Sequence, residues 1–124
     1  MSKFHSLKVS DIRHETIDTI SIAFEVPEQD KKQFVFKAGQ YITIKSMIDG
    51  EDIRRTYSIC TSPLDNELRV AVKKVEGGKF SSWVSNGLKL GQTLEVMTPM
   101  GRFTPKILSS NSKSYLLIAA GSGI

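Results

Sequence analysis

A single cysteine, Cys60, is all the 124-residue chain contains, and that scarcity removes several classes of protein at once. An internal disulfide needs two thiols, and one thiol alone cannot build a cysteine-based metal site. Long apolar runs are missing too: none approaches the roughly 20 residues that a membrane-spanning helix requires. The opening Met1-Ser2-Lys3-Phe4-His5-Ser6 leads into alternating residues rather than the apolar core of an export signal. A reduced, cytoplasmic protein with no membrane span is the expectation. Internal repeats and low-complexity tracts are absent. So is any concentration of charge: the net +4 is scattered, and its tightest clusters are the pairs Lys31-Lys32, Arg54-Arg55 and Lys73-Lys74. A nucleic-acid interface shows a basic stripe with interleaved aromatics, so these charges read as a solvated surface. What remains, 40% hydrophobic and 24% charged residues, is the composition of an ordinary globular domain large enough to bury a core.

The apolar residues recur mostly with period two, the pattern of half-buried strands. Alternation predicts strands over 4–13, 16–24, 40–45, 54–60, 67–75 and 93–97, with Ile20, Ile22 and Phe24 sharing one face. Pro27 and the polar run 28–33 read as a loop, and Asp49-Gly50 as a turn. The period changes after Gly77-Gly78, where Phe80, Val84 and Leu88 fall four apart and predict a short helix over 79–86, closed by Gly87 or Gly91. Six strands and one helix imply an all-β, antiparallel Greek-key barrel. Near the end, Ser109–Ser114 reads as a linker. The continuous apolar run Tyr115–Ala120 reads as a strand buried on both faces, leading into Gly121-Ser122-Gly123-Ile124. A strand followed by G-x-G opens a nucleotide-binding βα turn. The expected organisation is therefore a barrel over 1–108, with 109–124 the linker and first strand of a truncated α/β domain. That unpaired strand would invite non-native association.

Three constellations carry possible chemistry. On the fourth strand, Arg55-Thr56-Tyr57-Ser58 alternates Arg55 and Tyr57 against Thr56 and Ser58. An arginine can clasp a phosphate, a tyrosine can stack on a flat heteroaromatic ring, and a serine can both donate and accept at a ring nitrogen. The same four residues also read as a plain barrel strand. In Glu76-Gly77-Gly78-Lys79-Phe80-Ser81-Ser82, glycines at a helix mouth leave first-turn amides free for an anion, aided by the Ser81 or Ser82 hydroxyl. An ordinary glycine turn with a serine cap fits that segment as well. The third, Thr98-Pro99-Met100-Gly101-Arg102-Phe103, is a tight turn.

In their order and spacing these motifs resemble the ferredoxin–NADP reductase superfamily. Arg55-Thr56-Tyr57-Ser58 matches its R-x-Y-S signature, and Gly78-Lys79-Phe80-Ser81 resembles its second flavin motif. Pro99-Met100-Gly101-Arg102-Phe103 is similar to its P-x-G-x-F turn, and Gly121-Ser122-Gly123-Ile124 to the start of its nicotinamide domain. Within the superfamily, Phe4-His5-Ser6-Leu7, Arg54–Cys60, Glu76-Gly77-Gly78 and Leu94-Glu95-Val96-Met97 resemble the branch serving bacterial phenylacetate degradation.

The resemblance implies an FAD site. Arg55 would bind the flavin phosphates, Tyr57 would pack on the isoalloxazine, and Ser58 would hydrogen-bond near its reactive N5 as the catalytic residue, with Thr56 between them. Val72, Lys73 and Lys74 would border the ring and ribityl chain, while Gly78, Lys79, Phe80 and Ser81 would hold the pyrophosphate. It further implies an oxidoreductase that takes a hydride from NADH or NADPH and passes electrons to an oxygenase component or a ferredoxin-type acceptor. Any 2Fe-2S cluster would lie outside this chain, which has Cys60 alone. Cys60 itself is expected to be a small buried residue. With only the beginning of a nicotinamide domain, the 124 residues alone are expected to be inactive with NADH or NADPH. A small β-barrel module for nucleic acid or another anion is the competing reading, with Tyr57 and Arg55 serving base and phosphate.

Overall fold

A computed structural model describes residues 3–101. The strands are β1 (Phe4–Thr16), β2 (Thr19–Glu25), β3 (Tyr41–Ile48), β4 (Glu51–Ser58), β5 (Leu68–Lys73) and β6 (Thr93–Met97), with one helix, α1 (Lys79–Gly87), between β5 and β6. The linker over 109–114, the apolar run over 115–120, the glycine pair Gly121 and Gly123, and the end of the Pro99–Phe103 turn lie outside the described residues.

All six strands join one antiparallel sheet in the order β4-β3-β6-β1-β2-β5. Alternation turns Leu7, Val9, Ile20, Ile22, Ile42, Ile44, Val70, Val72 and Val96 to one side, and the sheet rolls around them into a single core. The long strand β1 makes the roll possible. Its first residues pair with β6 and its later ones with β2, and a register shift between Val9 and Asp11 bends it from one neighbour to the other. "Barrel" describes this arrangement only loosely. The two edge strands, β4 and β5, share no ladder, and they meet through one isolated bridge, Ile59 with Val70.

Several expected boundaries shift for local reasons. Ile17 is fully exposed because it forms, with Asp18, the turn between β1 and β2, where strand alternation had placed it inside β2. The polar run after Pro27 is a 3₁₀ helix over Glu28–Phe34 rather than a loop. Buried Phe34 anchors it, and a Lys31–Glu28 ion pair and the contact of Asp30 with His5 Nδ1 (3.3 Å) hold its surface. Asp49 and Gly50 both have positive φ, 51° and 78°, the conformation that a two-residue hairpin turn demands.

One buried charge has no counterpart in the sequence pattern. Arg69 stands between the core residues Leu68 and Val70, so its side chain lies on the outer face of the sheet, yet it is only 3% exposed. Asp11 and Glu67 pair with its guanidinium, and Ser21 Oγ accepts a third bond at 2.6 Å. The Arg69 hydrogen bond, ahead of the nearby Arg69 and Arg13 charges, holds the Asp11 carboxyl below its ordinary value of 3.8. A carboxyl whose folded pKa is depressed contributes stability above its unfolded pKa and loses it as pH falls through the folded value. Thermal melts run from pH 6 down to pH 2 are therefore expected to fall steeply below 3.8. In Asp11→Asn the melting temperature at pH 6 should be lower and its drop in acid shallower.

Candidate functional site

Strand β4 is an edge strand, so one side of its backbone pairs with β3 and the other faces the gap before β5. That gap closes only at Ile59, one residue past β4, leaving the edge through Arg55, Thr56, Tyr57 and Ser58 open. The first two sequence constellations meet at this seam, and the described part of the third packs against the start of β3 beside it.

The mouth of α1 is fixed beside β4 at two points. Lys79 pairs with Glu51 at the start of β4, and the Phe80 ring packs 5.7 Å from the Tyr57 ring, inclined by 35°. Burial pushes the half-buried Tyr57 phenol up, with the Arg55 charge opposing, so the ring stays neutral at physiological pH. The turn after β6 packs against the start of β3, the strand that pairs with β4. Met100 exchanges backbone bonds of 2.8 and 2.9 Å with Tyr41, and Tyr41 is the cross-strand partner of Ser58. Gly101 sits against the Tyr41 ring with φ of 123°, where a side chain would meet ring carbon at 3.1 Å.

Within the seam, the groups able to bind a ligand are specific. Arg55 donates to the Arg54 carbonyl at 2.7 Å but pairs with no carboxylate among the described residues. Ser58 is exposed, and its hydroxyl has no partner among them. At the helix mouth, the first intrahelical bond runs from Ser82 N–H to the Gly78 carbonyl, so the amides of Lys79, Phe80 and Ser81 precede the ladder. Ser81 is buried rather than offered as a cap: its Oγ accepts the Val75 N–H at 3.0 Å. An open cavity of about 440 Å³ beside this mouth is lined by Asp49, Gly77, Gly78, Lys79, Trp83 and Asn86. A second cleft of about 490 Å³, around Phe34, Phe36 and Leu68, lies apart from the three motifs; its charged groups, Lys31 and Glu67, are already paired.

The structure corrects the expectation for Cys60 and gives four other named residues definite places. Val72 is 0% exposed and Phe80 1%, so both side chains belong to the core and only their backbones can face a ligand. Cys60 is exposed rather than buried, its thiol donating to the Arg69 carbonyl at 3.4 Å, and partial burial pushes that thiol up. Lys73 is exposed on the outer face of β5, and the Lys74 N–H is taken by the Asp18 carbonyl. Alternation alone could have found Val72, since it shares the face of Leu68 and Val70. The Glu51–Lys79 and Tyr57–Phe80 contacts join residues more than twenty apart and left no local signal.

The profile of the oxidoreductase FAD-binding domain matches residues 6–104. The chain belongs to that family. This FAD-binding domain is 46% identical over its whole length to a component of the 1,2-phenylacetyl-CoA epoxidase of Escherichia coli K12, of which it covers 35%. It is 41% identical over 120 residues to the ferredoxin reductase component of the 3-ketosteroid-9-alpha-monooxygenase of Rhodococcus rhodochrous, covering 95% of this chain and 33% of that one. Among solved structures, phthalate dioxygenase reductase superposes with a TM-score of 0.69 at 27% identity, over 83% of this chain and 32% of that one. That protein is described as a modular structure for electron transfer from pyridine nucleotides to 2Fe-2S. The FAD-binding domain thus spans about a third of the length of the curated relatives it matches. FAD is the cofactor of the family, which sets aside the nucleic-acid or anion-binding alternative. No helix among the described residues is long and apolar enough to cross a membrane.

Proposed function

We propose that this chain is the flavin-holding part of a cytoplasmic NADH- or NADPH-dependent reductase that supplies electrons to an oxygenase component or a 2Fe-2S acceptor, in phenylacetate degradation or a closely similar aromatic pathway. One observation carries the reading: an unpaired β4 edge, a guanidinium without a carboxylate partner among the described residues, and a glycine helix mouth share one seam. The chain's similarity to the epoxidase component supports the choice of pathway.

The residues present fit FAD. Arg55 supplies an uncommitted positive charge for the phosphates, and its planar fork suits two oxygens at once. The first-turn amides of α1 suit a pyrophosphate, and the absence of a Cβ at Gly78 lets that mouth pack closely on Ser81 and Val75. Lys79 contributes through its amide while its ammonium holds Glu51. Tyr57, backed by Phe80, offers a fixed aromatic face to the isoalloxazine. The free Ser58 hydroxyl can donate to a ring nitrogen or accept from it as the protonation of that atom changes. Across the seam from β4, the β5 backbone at Val72 and Lys73 would border the ring and ribityl chain. FAD, when bound, takes up two electrons from a reduced nicotinamide and releases them singly, and the protein's part is to orient and polarise it. The pyridine nucleotide and the acceptor belong to the longer protein.

Mixing the purified chain with FAD, FMN or riboflavin, desalting, and recording visible absorption tests this. Retention of FAD above FMN, and of FMN above riboflavin, is expected, because each lost phosphate removes an anchor. Equal retention of all three would place binding away from Arg55 and the α1 mouth.

A further inference from the structure

The seam must be open along β4 for a ligand to enter and closed beyond Ser58 for the end of the strand to be held still. The closure is built from few contacts. Beyond the Ile59–Val70 bridge, the Cys60 N–H donates to the Arg69 carbonyl at 2.9 Å, the Cys60 thiol donates to that same oxygen, and Thr61 Oγ1 donates to the Glu67 carbonyl at 2.6 Å. The segment leaving the flavin motif is thus docked on residues 67–70, and Arg69 supplies the central acceptor.

What holds Arg69 is the buried cluster on the outer face. Its Nε lies 3.0 Å from Glu67 Oε1, one terminal nitrogen donates to Ser21, and the other meets Asp11. Ser21 in turn donates to Glu15 Oε1 at 2.8 Å. The partners come from β1, β2 and the residue leading into β5, so one guanidinium ties three strands together at the level where the seam shuts. A hydrophobic residue in place of Arg69 would fill the volume and leave that level unfastened. Carboxylates partly open to solvent tolerate the loss of a buried partner better than buried ones.

We propose that Arg69 is a positioning residue for flavin binding: anchored by Asp11, Glu67 and Ser21, it fixes where β5 receives Cys60 and so sets the aim of Ser58 and Tyr57. The proposal rests on the FAD reading above and adds to it a residue outside every flavin motif. Backbone register at the end of a strand decides side-chain direction, and small misplacements of a binding group are costly.

The test uses the 124-residue chain with FAD as titrant, reading affinity from flavin fluorescence and ring environment from visible circular dichroism. Arg69→Met is expected to fold, to bind FAD roughly 10-fold more weakly, and to alter the visible dichroism of the bound flavin. Leu94→Val, in β6 at the centre of the sheet and remote from the seam, serves as a control that loses stability by core packing alone. It should lower the melting temperature while keeping wild-type affinity and spectrum. Should Arg69→Met fail to fold, Asp11→Asn removes the charge of one arm from the surface side and is expected to give a smaller, about 3-fold, loss with the same spectral change. Wild-type affinity and spectrum in the folded Arg69→Met or Asp11→Asn protein would overturn the proposal. So would losses of affinity that follow melting temperature alike in Arg69→Met and Leu94→Val. A wild-type chain that binds no FAD would overturn the underlying reading instead, and is told apart because it needs no variant.

Discussion

Replacing Arg55 with alanine is expected to weaken FAD binding by roughly 10- to 100-fold, the value of one charge-assisted, bidentate contact to phosphate. The change should leave the melting temperature within a degree or two, because Arg55 is exposed, pairs with no carboxylate among the described residues, and donates only to the neighbouring carbonyl. That separation of binding from stability is what distinguishes a ligand-holding arginine from a structural one. Arg54 provides the contrast next door. Its guanidinium is engaged by Asp52 through two bonds of 3.2 Å and lies over the Phe4 ring, so it is committed to the sheet surface. Arg54→Ala should therefore leave FAD affinity near wild type. Riboflavin, which has no phosphate, should bind the Arg55→Ala and wild-type chains equally. Isothermal titration with FAD and riboflavin reads all of these outcomes, and an equal loss for both ligands would mean that Arg55 acts on the ring or the fold rather than on phosphate.

Much of this domain is written locally. Strand β6 could be bounded residue for residue, because Leu94 and Val96 alternate with polar neighbours between two turns. The Asp49-Gly50 turn was equally legible, since few residue pairs accept two positive φ angles. The motif residues of β4 and α1 could be named only through the resemblance of several segments, in order, to one family pattern, since each segment alone also reads as an ordinary strand or glycine turn. What stayed hidden depends on partners distant in sequence. Alternation alone puts Cys60 on the face of Thr56 and Ser58, but the bond of its thiol to the Arg69 carbonyl depends on another strand. Nothing around Arg69 marks a buried charge, since it sits at an outward position of an alternating strand and is covered by carboxylates from β1 and the approach to β5. Nor does alternation say whether a rolled sheet closes. The open seam, on which the candidate site depends, follows from which strands lie at the edges, and that is a property of the whole topology.

Adding one methyl group at Gly78 should have an effect comparable to removing Arg55, for the opposite reason. The backbone there is ordinary, with φ of −76°, so alanine carries no conformational penalty and the whole effect is steric. A Cβ would lie 2.7 Å from Ser81 Oγ, 3.0 Å from the Val75 carbonyl oxygen and 3.3 Å from the Val75 Cβ. Ser81 cannot simply turn away, because it is buried and accepts the Val75 N–H, which would then be left without that bond. The helix mouth must instead shift outward, carrying the Lys79, Phe80 and Ser81 amides with it and disturbing the Phe80–Tyr57 contact behind the flavin motif. Overpacking of this kind costs about 1–3 kcal/mol of stability. Because the displaced groups are the proposed pyrophosphate donors, FAD affinity should fall by at least about 10-fold as well. Gly87→Ala is the control on the same helix: it borders the cavity at the end away from the first-turn amides, nothing lies within 4 Å of its added Cβ, and alanine favours the helix, so a neutral or slightly raised melting temperature and unchanged FAD affinity are expected. Thermal melts with and without FAD on the two variants separate the effects, since at a fixed FAD concentration the stabilisation by bound ligand grows with the logarithm of its affinity. A Gly78→Ala protein with a wild-type FAD-induced shift would show that the α1 mouth does not touch the cofactor.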